Sequence, residues 1–217
     1  MSLRVAVSPM QRLNLKACGT RFATKFRCWH SMSRTAQPLM PWHAMATSLA
    51  GERIDLLINN AGSYGPQGIP DGIAYQRLGS IDYSIWEDIL RVNVLGAMKM
   101  TEAFLPQVER SSRKLVVMMS SDLGSVTNNI KPGQSYCYRS SKAALNMVTK
   151  GLSLDLKARG VTVVAMAPGW VRTDMGGKGI ADLEPHDSVA AQRKVFEALT
   201  VADSGRFLNY RGEDVAW

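Results

Sequence analysis

The pair Tyr138 and Lys142 is the first place where this sequence could do chemistry. In Y-x-x-x-K on a helix, the two side chains stand four residues apart and share one face. An ammonium beside a phenol favours the phenolate, so Lys142 is expected to lower the Tyr138 pKa from about 10. A tyrosine tuned in this way gives or takes a proton near neutral pH. The spacing alone is weak, because any helix produces it by chance. Three more groups add polar or backbone-exposing residues: Asn59-Asn60-Ala61-Gly62, Ser120-Ser121-Asp122-Leu123-Gly124, and Pro168-Gly169-Trp170-Val171-Arg172-Thr173-Asp174. Asn93 lies between the first two. Cys137 adjoins Tyr138 with nothing around it to make a nucleophile, Asp122 reads as a solvated loop residue, and His186 reads as facing water near a helix start.

The elements that must position these residues are legible from about Met45 onward. Ile54–Ile58 is a short apolar run that breaks into Asn59–Gly62, as a buried parallel strand does on reaching a turn. Residues 63–83 are punctuated by Gly and Pro and read as loop. Ser84 and Glu87 have capping-box spacing. Ile85, Ile89, Val92, Leu95 and Met98 then carry a helix to about Glu109, which Pro106 is expected to bend or shorten. Lys114–Ser120 reads as the next strand, 121–135 as loop, and Tyr136–Arg159 as a long helix closed by Gly160. Val161–Met166 is a third strand, Pro185–Leu199 a helix, and Arg206–Leu208 a short last strand. Strand and helix alternate, which predicts an α/β fold: a doubly wound parallel sheet with helices on both faces. Ligands of such sheets bind outside the carboxyl ends of the strands. Those ends are Asn59–Gly62, Ser120–Ser121 and Pro168–Thr173, so a cofactor site is expected there.

N-N-A-G after one strand, S-S-x-x-G after the next, Y-x-x-x-K at the following helix and P-G-W-V-R-T-D after the strand beyond form a specific ordered set. The set resembles the short-chain dehydrogenase/reductase family over roughly residues 45–217. Tyr136–Asn146 and Ser204–Gly212 look like its carbonyl-reductase branch, which includes sniffer-like and C-factor-like proteins. The resemblance implies a Rossmann-like fold and an NAD(P)-dependent oxidoreductase that moves a hydride between nicotinamide and a carbonyl or secondary alcohol. Tyr138 then matches the general acid/base, and Lys142 the lysine that tunes it and holds the nicotinamide ribose. Ser121, rather than Ser120, matches the serine that hydrogen-bonds the substrate oxygen, and Asn93 the asparagine that orders a relay water. By the same matching Asn59, Ala61 and Gly62 line the adenosine side, and Pro168, Gly169, Val171 and Thr173 the nicotinamide side. Trp170 and Met175 would wall the substrate side. The choice between NADPH and NADH stays open.

The first quarter of the chain does not match the rest. Residues 1–50 hold seven Lys/Arg and no acid; residues 51–217 hold the other 19 basic residues and all 18 acidic ones. All but one unit of the net charge of +8 therefore belongs to the N-terminal segment, and the nearly neutral remainder argues against a nucleic-acid partner. No apolar run is long enough to span a membrane. Cys18, Cys28 and Cys137 are too few for a disulfide framework or a metal site, and suit a cytoplasmic protein. The expected partner is a small-molecule carbonyl or alcohol substrate, with room for a homo-oligomer through the long helices.

Within residues 1–44, Arg4–Val7 fits a strand; after it no period can be followed. Three readings stand: a targeting peptide, a basic tail, or a reading-frame error or misplaced start. The family's glycine-rich turn, T-G-x-x-x-G-x-G, is missing, since Gly19 and Gly51 are the only glycines before Gly62. Space is short as well: three strand–helix units ahead of Ile54 need roughly 75–85 residues at 30 or so per βαβ unit. The expectation is thus an irregular or non-homologous segment at 1–44, a family domain at 45–217, and an incomplete N-terminal half of the sheet. A non-catalytic or truncated relative with impaired cofactor binding is the alternative to an active enzyme.

Overall fold

The computed structural model describes residues 5–7, 27–28, 52–131, 135–177 and 179–217. Six strands form one sheet: β1 (Val5–Val7), β2 (Arg27–Cys28), β3 (Leu56–Asn59), β4 (Leu115–Met119), β5 (Thr162–Ala167) and β6 (Phe207–Asn209). Their spatial order is β2-β1-β3-β4-β5-β6, and every pairing is parallel. The order reverses at β1, where β2 lies on one side and β3 on the other. That is the topological switch point at which open α/β sheets place their ligands. Among the described residues two strands precede β3.

The strand cores alternate cleanly between the two faces. Leu57, Val116, Met118 and Val163 point to one side, with Ala97, Met100, Phe104, Val108, Leu145 and Leu152 packed on them. Leu56, Leu115, Val117, Val164 and Met166 point to the other, under Phe196 and Leu199. The first face is covered by α2 (Ala97–Glu109) and α3 (Tyr136–Asp155), the second by α4 (Pro185–Ala198). Both faces are apolar because both are covered, which is why the strands read as unbroken hydrophobic runs.

The helix expected from Ser84 starts earlier. Asp82 is its N-cap, its carboxylate accepting from the Ser84 and Ile85 amides at 2.9 and 3.2 Å, and α1 covers Tyr83–Leu90. A carboxylate two positions upstream outcompetes the Ser84 hydroxyl, which itself donates to Asp82 at 2.6 Å. The turn Arg91–Gly96 is π-helical and leads directly into α2, which runs through Pro106 to Glu109 instead of stopping there. At the far end of α3 a 3₁₀ turn, Lys157–Arg159, ends on Gly160 at φ 70°, the left-handed stop expected there.

Arg4–Val7 was a candidate strand, and Val5–Val7 forms one, in register with Leu56–Ile58. Residues 8–44 were expected to be irregular, yet Arg27–Cys28 pairs with Ala6–Val7 as an ordered edge. The strand period is too short there, at two residues, to be seen in sequence. The remainder of that expectation lies outside the described residues.

Candidate active site

The carboxyl ends of β3, β4 and β5 adjoin because the strands are neighbours, so the loops that follow them meet. Ser121 follows β4 and caps the short turn Asp122–Gly124, its hydroxyl accepting from the Leu123 amide at 3.2 Å. Gly124 brings this turn hard against α3: a Cβ there would stand 2.8 Å from the Lys142 Cβ. The glycine of S-S-x-x-G is therefore a contact point, and it sets the serine against the Y-x-x-x-K face. The Ser121 hydroxyl lies near enough to the Tyr138 phenol to favour its ionised form. Ser120 turns the other way, donating to Asn146 Oδ1 at 2.6 Å inside the protein.

Tyr138 and Lys142 share one face of α3, and both are nearly fully buried. The Lys142 ammonium lies 5.6 Å from the centre of the Tyr138 ring and donates to the Met119 carbonyl at 2.7 Å. Across from them Tyr64 sets its ring 4.9 Å from that of Tyr138 at 50°. The expected lowering of the phenol pKa does not occur. Burial pushes Tyr138 up to about 12, with Tyr64 and Asp122 adding to the rise and the Ser121 hydroxyl offsetting part of it. Burial also pushes Lys142 down to about 8. Desolvation is the leading cause of both shifts. The phenol is thus held protonated through the neutral range, as a proton donor. Burial likewise raises the Asp122 carboxyl at the edge of this cleft. It also raises the Cys137 thiol, keeping it inert as a nucleophile.

Asn93 sits in the π-helical turn with no exposure. Its amide accepts from the Ser63 N–H at 2.7 Å and donates to the Ser63 carbonyl at 3.0 Å and the Ser141 hydroxyl at 2.8 Å. That side chain staples the loop after β3 to α3. Gly62 lies over both groups, with its Cβ position 3.6 Å from Lys142 Nζ and 3.7 Å from Asn93 Oδ1. Asn59 keeps its side chain out of the cleft, which leaves its backbone for the expected adenosine contact. It is 2% exposed and donates to Thr101 Oγ1 at 2.9 Å, tying β3 to α2. As the last strand residue it takes the inward side of the alternation, while Ala61 and Gly62, past the strand end, are half-buried.

The loop after β5 is drawn in tightly. Gly169 has φ 83°, and a Cβ there would meet Leu183 and Tyr210 at 2.9 and 3.0 Å, so only glycine fits. Pro168 offers its carbonyl to the Ser188 hydroxyl at 2.6 Å, Val171 bridges to Leu183, and Thr173 Oγ1 accepts from the Gly176 amide at 3.1 Å. Trp170, half-exposed, donates to the Gly176 carbonyl at 2.8 Å. The Met175 carbonyl accepts from the Ile69 amide at 2.9 Å, joining this loop to the one after β3.

Tyr64 and Gln76 belong to the site and were not foreseen. Both lie in the stretch read only as loop, where a tyrosine directly after N-N-A-G-S was the one available signal.

NAD(P) fits this site on one side. Gly62 leaves room beside the Lys142 ammonium, since a Cβ there would stand 3.6 Å from Nζ. The pyrophosphate side falls to the segment after β1, where the sequence from Ser8 to Lys25 offers Gly19 alone.

The pattern for short chain dehydrogenases matches residues 15–183. The chain is 38% identical to C-signal of Myxococcus xanthus over 174 residues, spanning 80% of this chain and 99% of that protein. Among solved structures, the NADPH-bound carbonyl reductase from chicken fatty liver superposes with a TM-score of 0.75 at 27% identity, covering 100% of this chain and 88% of that one. The carbonyl reductase Sniffer of D. melanogaster shares the fold with a TM-score of 0.85, at 23% identity and with both chains covered in full. The chain belongs to the short-chain dehydrogenase/reductase family, in its carbonyl-reductase branch. The chemistry of that family is NAD(P)-dependent transfer of hydride between nicotinamide and a carbonyl or secondary alcohol. The match begins at residue 15, well inside the segment that composition sets apart.

Proposed function

We propose that this chain reduces the carbonyl group of a small molecule, with Tyr138 as the proton donor. The observation that carries this reading is the Tyr138 phenol held protonated by burial, with the Ser121 hydroxyl near enough to favour its ionised form and Lys142 on the same helix face. A carbonyl oxygen placed between the Ser121 and Tyr138 hydroxyls accepts a hydrogen bond from each. As the oxygen gains negative charge, the phenolic proton moves to it, and the Lys142 ammonium 5.6 Å from the ring centre stabilises the phenolate left behind. NADPH or NADH, when bound, supplies the hydride. Lys142, Gly62, Ala61 and the backbone of Pro168, Gly169, Val171 and Thr173 would hold it, and NADPH is favoured by the cofactor of the chicken relative. The Asn93 amide is committed to Ser63 and Ser141, so the relay-water contact falls to its backbone carbonyl, in a turn widened by i→i+5 bonding.

The chemistry rests on residues 45–217, with residues 1–44 adding β1 beside β3 and β2 at the sheet edge. Met147 and Leu154 on α3 and Leu95 stand exposed, which suits a homo-oligomer through the long helices. Among the described residues no helix is long and apolar enough to cross a membrane. The buried free thiol of Cys137 suits action in the reducing cytoplasm.

The test is isotopic. The full chain, incubated with saturating 4-deuterated NADPH and a panel of aromatic and aliphatic ketones and aldehydes, is expected to place deuterium on the carbinol carbon of at least one product alcohol. Saturable NADPH binding without label transfer to any of them would favour the alternative, a relative that keeps the cleft without the reaction.

A further inference from the structure

Gln76 lies more than sixty residues upstream of Tyr138, in the connection between β3 and α1, and has no exposed surface. Its side-chain amide uses both donors and its oxygen. Nε2 donates to the Tyr64 carbonyl at 2.8 Å and the Gly72 carbonyl at 3.0 Å, and Oε1 accepts from the Tyr138 backbone N–H at 2.9 Å. Its own carbonyl accepts from the Tyr136 N–H at 3.0 Å. Two carbonyls on one side and an N–H on the other leave a single orientation for the amide.

These contacts fall where α3 lacks support of its own. The first N–H groups of a helix have no intrahelical partner. Ser135, the N-cap residue, makes no side-chain capping bond. The amides of Tyr136 and Tyr138, at the first and third helical positions, are instead taken by Gln76. The same amide holds the carbonyl of Tyr64, whose ring faces that of Tyr138. One side chain therefore fixes both the backbone that carries the phenol and the ring packed against it.

We propose that Gln76 is the positioning residue for Tyr138, capping α3 from a remote loop and setting the reach of the phenol to Ser121. The proposal rests on the reading of Tyr138 as the proton donor. Gln76→Leu deletes all three side-chain bonds and leaves one buried N–H and two buried carbonyls without them. Gln76→Glu keeps an acceptor for the Tyr138 amide but sets a carboxylate oxygen against the Tyr64 and Gly72 carbonyls.

In the full chain, Gln76→Leu is expected to speed hydrogen exchange at the Tyr138 amide by roughly tenfold or more. It should also lower kcat by roughly tenfold, with the KM for NADPH unchanged. Gln76→Glu is expected to retain protection of the Tyr138 amide and to recover part of kcat. Unchanged Tyr138 exchange in Gln76→Leu, or kcat kept within about twofold of the parent, would overturn the proposal. If Gln76→Leu does not fold, the glutamate variant decides: a folded Gln76→Glu that loses Tyr138 protection contradicts the cap. A parent chain that transfers no hydride would refute the function proposed above, while the exchange comparison still decides whether Gln76 holds the Tyr138 backbone.

Discussion

Tyr138→Phe is expected to lower kcat for carbonyl reduction by about 10²–10⁴-fold, the usual contribution of a positioned general acid. The substitution is sparing. Phenylalanine keeps the ring that faces Tyr64 at 4.9 Å and loses only the hydroxyl beside Ser121. Ser121 still bonds the Leu123 amide, so its rotamer has a reason to persist. The KM for NADPH should change little, and thermal stability should shift by about 1 kcal/mol or less. Steady-state kinetics with a fold check by circular dichroism settles the matter. A variant that keeps a large part of the parent kcat would remove Tyr138 from the role assigned to it.

The second large effect concerns the cofactor. NAD(P) carries its negative charge on the pyrophosphate, which such folds meet with backbone N–H groups at a helix N-terminus. Each charge-assisted bond of that kind contributes on the order of 1.5–3 kcal/mol. Without two or three of them, binding should be weaker by roughly two to six powers of ten, at 1.4 kcal/mol per tenfold. β1 should be kept in any repair, since Val5–Val7 pairs with Leu56–Ile58. Replacing residues 8–26, between β1 and β2, with a T-G-x-x-x-G-x-G turn and a short helix is therefore expected to tighten NADPH binding by at least a hundredfold in calorimetric titration, the low end of that range. Micromolar binding by the unaltered chain would show that its own N-terminal segment already grips the pyrophosphate.

The parts that were legible in the sequence are those set by local pattern and full burial. Leu115–Met119 and Thr162–Ala167 are apolar throughout because helices cover both faces, and such runs stand out in any reading. Gly124 is fixed by its close approach to Lys142 and Gly169 by its positive φ, so the motifs around them fell where expected. The parts that were not legible depend on groups distant in sequence. The Tyr138 pKa rises because burial, a tertiary quantity, outweighs a neighbour four residues away. Asn59 turns inward because Thr101 of α2 waits there. Gln76 caps a helix that begins sixty residues later, and no local spacing announces it.

The pH dependence of carbonyl reduction tests the central claim most directly. The competent form pairs a protonated Tyr138 phenol, with a pKa pushed up to about 12, with a Lys142 ammonium, pushed down to about 8. From the direction of both shifts, kcat/KM should be level through the neutral range. It should then fall with a slope of one proton as Lys142 loses its charge near pH 8. Lys142→Met should be slower throughout and lack that limb. A rate that instead climbs through the same range, with the limb unaltered in Lys142→Met, would mean that an ionised base drives the reaction, contradicting Tyr138 as a proton donor supported by Lys142.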